Sequence, residues 1–138
     1  MSAVAHPSER SRASTQQVLL VEDNQLNQMV AEGMLRLLGY QCRSVTDGLQ
    51  AVAEVHSAFY PIVLMDVQMP ELDGYQASRR IRAELPAERQ PYIIALTANA
   101  MAGDADLCRA AGMNDYLPKP LTKAALSAAL SRATSSCV

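Results

Sequence analysis

QVLLVEDNQLNQMV, residues 17–30, changes character at its centre. Up to Val21 it is an aliphatic run without alternation, the mark of a strand covered on both faces as in a parallel sheet. Glu22 and Asp23 then stand side by side, where they must repel each other. Asn24 is a residue type that caps helices, and behind it Leu26, Met29, Val30, Met34, Leu37 and Leu38 recur at helical spacing until Gly39 offers a C-cap. The stretch is one βα unit, with paired acids at the carboxyl end of its strand.

The same unit recurs along the chain. QCRSVT (41–46) alternates more and reads as a strand nearer a sheet edge. Asp47 and Gly48 open a second helix that carries Leu49, Val52, Ala53 and Val55 to about Ser57. PIVLM (61–65) is a strand ending at Asp66, and VQMPELDG (67–74) is a loop because Pro70 disfavours helix and Gly74 permits unusual backbone angles. YQASRRIRAEL (75–85) is a helix with Arg79, Arg80 and Arg82 expected in solvent. YIIAL (92–96) is a strand ending at Thr97, Asp104–Ala111 a short helix closed by Gly112, NDYLP (114–118) a strand ending near Lys119, and Leu121–Arg132 the last helix. Strict alternation implies right-handed crossovers and an α/β fold, a doubly wound five-stranded parallel sheet with helices on both faces.

Bulk properties narrow the function. A chain of 138 residues suits one domain with a core of its own, and a formal net charge of −2 provides no basic field for nucleic acid. Cys42, Cys108 and Cys137 are far apart and in no metal-binding spacing, which fits a reducing cytosol, with Cys137 loose near the end. No apolar run is long enough to span a bilayer, and no apolar signal segment opens the chain, so cytoplasmic placement without membrane insertion is expected. Residues 1–15 read as a flexible tail or linker, 16–133 as the folded domain and 134–138 as a flexible C-terminal tail.

In open α/β sheets, ligands bind beyond the carboxyl ends of the strands. Here those ends carry Glu22 and Asp23, Asp66, Thr97 and Lys119. Singly, each has a plain reading: a solvated acid, a helix cap, an exposed loop lysine, and for Tyr116 half-buried packing. Together, three converging carboxylates would raise one another's pKa unless a cation joined them, and oxygen-only ligands suit Mg2+. A lysine and a threonine hydroxyl add donors for phosphoryl oxygens, and aspartate can accept a phosphoryl group covalently. Metal plus positioning is most of what phosphoryl transfer requires.

LLVEDN, VLMDVQMPELDGYQASRRIR, IIALTANA and AGMNDYLPKPL together closely resemble the response-regulator receiver domain of two-component signalling, and VEDNQLNQMV with ALTANAM is most similar to receivers of hybrid sensor histidine kinases. The resemblance covers about residues 16–133. It implies a flavodoxin-like (βα)5 sheet of order 2-1-3-4-5, with Asp66 as phosphoacceptor in a Mg2+-dependent reaction. It further implies metal ligation by Glu22 (through water), Asp23, Asp66 and the backbone carbonyl of Gln68. Thr97 and Lys119 would hold the phosphoryl group, Thr97 and Tyr116 would form the switch, and Gln68 and Asn99 would tune dephosphorylation. Lys119-Pro120 matches a peptide that is often cis in the family.

The implied donor is a histidine kinase or a histidine phosphotransfer domain, docking near Leu26, Met29 and Val30, which could equally be core. Dimerisation on phosphorylation stays open. The module is then a signalling element and not an enzyme, either a stand-alone regulator or a piece of a longer kinase.

Three other readings stand beside it. A haloacid-dehalogenase-like phosphatase would need a second acid where Gln68 stands. A flavodoxin-like cofactor binder would need a glycine-rich or hydroxyl-rich phosphate cradle that the loops lack. A degenerate receiver would act as an interaction module alone.

Overall fold

The computed structural model of the protein describes residues 17–69, 71–98 and 102–137. Five strands, β1 Gln17–Val21, β2 Gln41–Val45, β3 Ile62–Asp66, β4 Tyr92–Thr97 and β5 Asp115–Pro118, alternate with five α-helices. The helices are α1 Gln25–Leu37, α2 Gly48–Ser57, α3 Gly74–Glu84, α4 Ala102–Ala110 and α5 Lys123–Cys137. The sheet is parallel throughout, in the order β2-β1-β3-β4-β5, so the fold and strand order expected from the sequence are present. The expected N-terminal tail (residues 1–15) and Asn99 lie outside the described residues.

Side chains alternate across a strand with period two, and here that period sorts the sheet into two cores. Val18, Leu20, Ile62, Leu64, Ile94 and Leu96 face α1 and α5, meeting Ala31, Leu35, Leu126 and Leu130. Leu19, Val21, Val63, Met65, Ile93 and Ala95 face the other way, against Val52, Val55, Ala77, Ile81 and Cys108. Both layers are dry because β1 and β3 are buried along nearly their whole length. The edge strand β2 alternates between exposed and half-buried positions, as its sequence suggested.

Helix starts follow local chemistry. Asn24 accepts from the Asn27 N–H at 2.9 Å, and Asp47 accepts from the Gln50 N–H at 2.8 Å. At α3 Asp73 and Gln76 form a reciprocal capping box, a signal hidden in the sequence inside what reads as a loop. Gly39 has a φ of 89°, the left-handed geometry that ends α1.

Four expectations are corrected. On α1 the apolar stripe divides: Met34 and Leu38 pack against the core beside buried Ala31 and Leu35, whereas Leu26, Met29, Val30 and Leu37 are exposed. On α2 the buried stripe is Ala51, Val52 and Val55, with Leu49 and Ala53 outside it. The last helix starts later than expected and runs to Cys137, so Thr134–Cys137 is helix and not tail. Buried Ala133 anchors that extra turn, and the Thr134 hydroxyl donates back to the Leu130 carbonyl at 3.1 Å. Finally, Arg82 is not solvated. Its guanidinium is half-buried and donates to the Gly112 carbonyl (2.7 Å), Gln90 Oε1 (2.7 Å), the Pro91 carbonyl (2.8 Å) and Asn114 Oδ1 (2.7 Å).

Tyr60, buried after α2, donates its hydroxyl to Glu54 Oε2 at 2.6 Å. Burial, that hydrogen bond and the Glu54 charge push its phenol up to about 12 from the ordinary 10.0. Between those values the unfolded chain releases this proton and the native chain keeps it. Tyr60 therefore contributes stability that is fully present below pH 10 and lost as pH rises towards 12. Unfolding free energies from urea titrations across this window are expected to fall more steeply for wild type than for Tyr60→Phe, by up to about 1.4 kcal/mol per pH unit. Parallel slopes would show that this phenol does not titrate late.

Candidate functional site

The register brings the polar strand ends level. Val21 lies opposite Met65, so the next residues, Glu22 and Asp66, are neighbours, and Asp66 in turn lies opposite Leu96, one step before Thr97. Thr97 pairs with Pro118, which places Lys119 just beyond β5 at the same edge. The sequence-predicted residues Glu22, Asp23, Asp66, Thr97 and Lys119 thus meet at the carboxyl edge of one sheet.

Within this cluster Glu22, Asp66 and Thr97 are buried, at 2%, 2% and 1% exposure, and Asp23 is exposed. Carboxylate oxygens of Glu22, Asp23 and Asp66 lie within 4.8 Å of one another. Lys119 Nζ donates to Asp66 Oδ2 at 2.8 Å and stands 3.6 Å from Glu22 Oε1. The other Asp66 oxygen, Oδ1, accepts from the Gln68 N–H at 3.0 Å, and Glu22 Oε2 accepts from the Asn24 N–H at 3.1 Å.

The electrostatics reflect the crowding. Burial pushes the Glu22 carboxyl above the usual carboxylate range; the Asn24 N–H opposes this, the Asp66 charge adds to it, and Lys119 again opposes it. Burial pulls Lys119 down, yet its bond to Asp66 and the two acid charges outweigh that and leave its pKa raised. Lys119 therefore stays charged at neutral pH. Three carboxylates gathered at one edge repel one another, a crowding that a bound cation would offset. The donor set is oxygen alone, one exposed and two buried carboxylates, and this suits a hard divalent ion of the Mg2+ type.

Backbone geometry holds the cluster in place. The Gly74 N–H donates to the Val67 carbonyl at 3.2 Å, and a Cβ on Gly74 would stand 2.4 Å from the Asp66 carbonyl oxygen. Glycine therefore lets α3 begin directly against the end of β3. The Lys119 N–H donates to the Thr97 carbonyl at 2.8 Å, and Lys119-Pro120 is cis, as the sequence suggested. Tyr116 is half-buried and packs with Met69, Leu72 and Tyr75 against the α2–α3 core.

Sequence reading missed Gln28, whose side-chain amide reaches back to the Glu22 carbonyl at 2.7 Å. Helical side chains lean towards the N-terminus, so a long polar residue one turn into α1 could have been suspected of doing so. Beside the acids, Leu26, Val30, Leu96, Pro120 and Leu121 line an open groove of about 480 Å3 that Glu22 and Lys119 border.

The chain is similar to known proteins. The family model described as response regulator receiver domain matches residues 18–131. A hybrid signal transduction histidine kinase of Dictyostelium discoideum is 41% identical over 84% of this chain, which spans 9% of that kinase. The sensor protein GacS of Pseudomonas syringae is 42% identical over 80% of the chain and 12% of its own length. The chain thus spans a small fraction of the curated relatives it matches.

Among solved structures, the receiver domain of a sensor histidine kinase from Pseudomonas aeruginosa PAO1, with magnesium coordinated in its active-site cleft, is 52% identical. It superposes with a TM-score of 0.79, over 87% of this chain and 98% of that one. A Saccharomyces cerevisiae receiver domain, co-crystallised with the histidine phosphotransfer protein upstream of it, is 30% identical with a TM-score of 0.79, over 86% of this chain and 88% of that one. With its motif residues gathered at one sheet edge and the family match running across nearly all of the described chain, the protein belongs to the response-regulator receiver domains of two-component signalling.

Proposed function

We propose that the chain accepts a phosphoryl group from a phosphohistidine onto Asp66 in a Mg2+-dependent reaction. The observation that carries this reading is the Asp66 carboxylate itself: buried, held at both oxygens by Gln68 N–H and Lys119 Nζ, and flanked by two further acids. An Asp66 oxygen attacks phosphorus, the P–N bond to the donor imidazole breaks, and the imidazole leaves with the bonding electron pair and takes up a proton. A cation held by Glu22, Asp23, Asp66 and the Gln68 carbonyl would supply charge neutralisation at the transferred oxygens.

The chain's own groups do the rest. Lys119 already points at the acceptor and pairs with a phosphoryl oxygen once the acyl phosphate forms. Thr97, one step beyond the residue opposite Asp66, donates to another, and half-buried Tyr116 turns into the space that Thr97 vacates. The transferred charge thereby biases an existing two-state equilibrium of the α4–β5–α5 surface. Gln68 and Asn99 set the lifetime of the phosphoryl group.

Support for the donor comes from the exposed Leu26, Met29 and Val30 beside the acids, which form a docking face for a phosphotransfer or kinase helix. The yeast relative is co-crystallised with a histidine phosphotransfer protein. No described helix is long and apolar enough to cross a membrane, and we place the module in the cytosol as a signalling element of a hybrid kinase.

Intact mass after incubation with acetyl phosphate tests the reading. One phosphoryl adduct is expected on wild type with Mg2+, and none without Mg2+ or on Asp66→Asn. If neither acetyl phosphate nor a phosphorylated histidine protein labels wild type, the domain is an interaction module.

A further inference from the structure

We propose that Gln28 is the positioning residue of the acidic loop: its amide fixes the Glu22–Asp23 peptide so that both carboxylates address one cation. The inference rests on the Mg2+-dependent reading above and extends it to a side chain outside the acid cluster.

Gln28 Nε2 carries two hydrogens and finds two carbonyls, Glu22 at 2.7 Å and Val45 at 3.3 Å. The Val45 carbonyl, at the end of β2, also accepts the Glu22 N–H at 3.1 Å. One amide therefore bridges α1 to the ends of β1 and β2, closing a small ring around Glu22. A peptide unit is planar, so holding the Glu22 carbonyl also sets the N–H and Cα of Asp23. Asp23 is exposed, and this plane is the lever that aims its side chain. Among the described residues both Gln28 hydrogen bonds go to backbone carbonyls, so it acts on the acids through the backbone.

Charge and positioning predict opposite orders, which makes the inference testable. Calorimetric titration of Mg2+ into the full 138-residue chain would compare wild type with Gln28→Lys, Gln28→Met and Gln28→Glu. Lysine keeps a donor but adds positive charge, methionine removes the donor at similar size, and glutamate adds negative charge while offering the two carbonyls no hydrogen at neutral pH. Positioning predicts affinity falling from glutamine to lysine to methionine to glutamate, with methionine about tenfold or more below wild type. Charge alone predicts glutamate tightest and lysine weakest.

Circular dichroism melts without Mg2+ accompany the series, because a purely structural role would lower Tm and leave affinity unchanged. The charge order, or a methionine variant that binds as wild type does, overturns the positioning role while leaving the phosphoacceptor reading intact. No Mg2+ binding by wild type overturns the reading beneath it, and the inference with it. If one variant does not fold, the order of the remaining three still decides.

Discussion

Gly74→Ala is expected to lower the melting temperature by about 10 °C and to reduce phosphoryl labelling at least tenfold. The added Cβ would stand 2.4 Å from the Asp66 carbonyl oxygen and 2.8 Å from Val67 Cα, far inside van der Waals contact. Both obstacles are backbone, so no side chain can swing aside. The helix must retreat or the end of β3 must move, and either displaces the residue that carries the acceptor carboxylate. Overpacking of this kind costs about 3 kcal/mol in a dry core.

The contrasting substitution is Gly33→Ala. Gly33 lies within α1, its Cβ would meet nothing within 4 Å, and alanine there is expected to stabilise by about 0.5–1 kcal/mol. Thermal melts of the two variants, with labelling of each by acetyl phosphate, check the pair. A Gly74→Ala protein melting within about 2 °C of wild type would mean that α3 slides off β3 at little cost.

Arg82→Ala is expected to cost about 3 kcal/mol, read as a fall in the urea midpoint at unchanged slope. The guanidinium ties the end of α3 to the loops before β4 and β5 through four neutral acceptors. Removing it strands the Gly112 and Pro91 carbonyls and loosens Gln90, whose amide caps α3 by donating to the Ile81, Arg82 and Leu85 carbonyls. It also frees Asn114, whose Oδ1 accepts the Ile93 N–H at 2.8 Å. Lysine offers one point charge where a planar fork is needed, so Arg82→Lys should recover less than half of the loss. The network lies at the end of the sheet away from Asp66, and Mg2+-dependent labelling of the folded fraction should persist. Recovery of full stability by lysine would refute the role given to the fork.

What the sequence revealed, and what it hid, has a physical pattern. The central strands were legible because runs such as VLLV and IVLM are buried on both faces and need no alternation, whereas β2 showed itself by alternating. The acids, Thr97 and Lys119 were legible because parallel strands deliver their ends to one edge. The inner face of α1 was not. Two apolar stripes share that helix, and periodicity cannot say which of them meets the sheet. The small residue Ala31 is buried, whereas the larger Leu26 is 67% exposed. Arg82 was misread because nothing in RRIRAEL separates an arginine facing solvent from one reaching acceptors some 30 residues on. Gln28 escaped for a similar reason: its partners are backbone carbonyls, which every residue has.

The strand order also has a consequence for the birth of the molecule. β1 is made first, yet it sits inside the sheet between β2 and β3, and Lys119 arrives 53 residues after Asp66. A nascent chain folded only as far as β3 would gather Glu22, Asp23 and Asp66 with no lysine among them. Such a cluster of like charges opposes its own closure. Emergence of β5 supplies the counter-charge, so the acid edge gains its cationic partner only from the far end of the sheet.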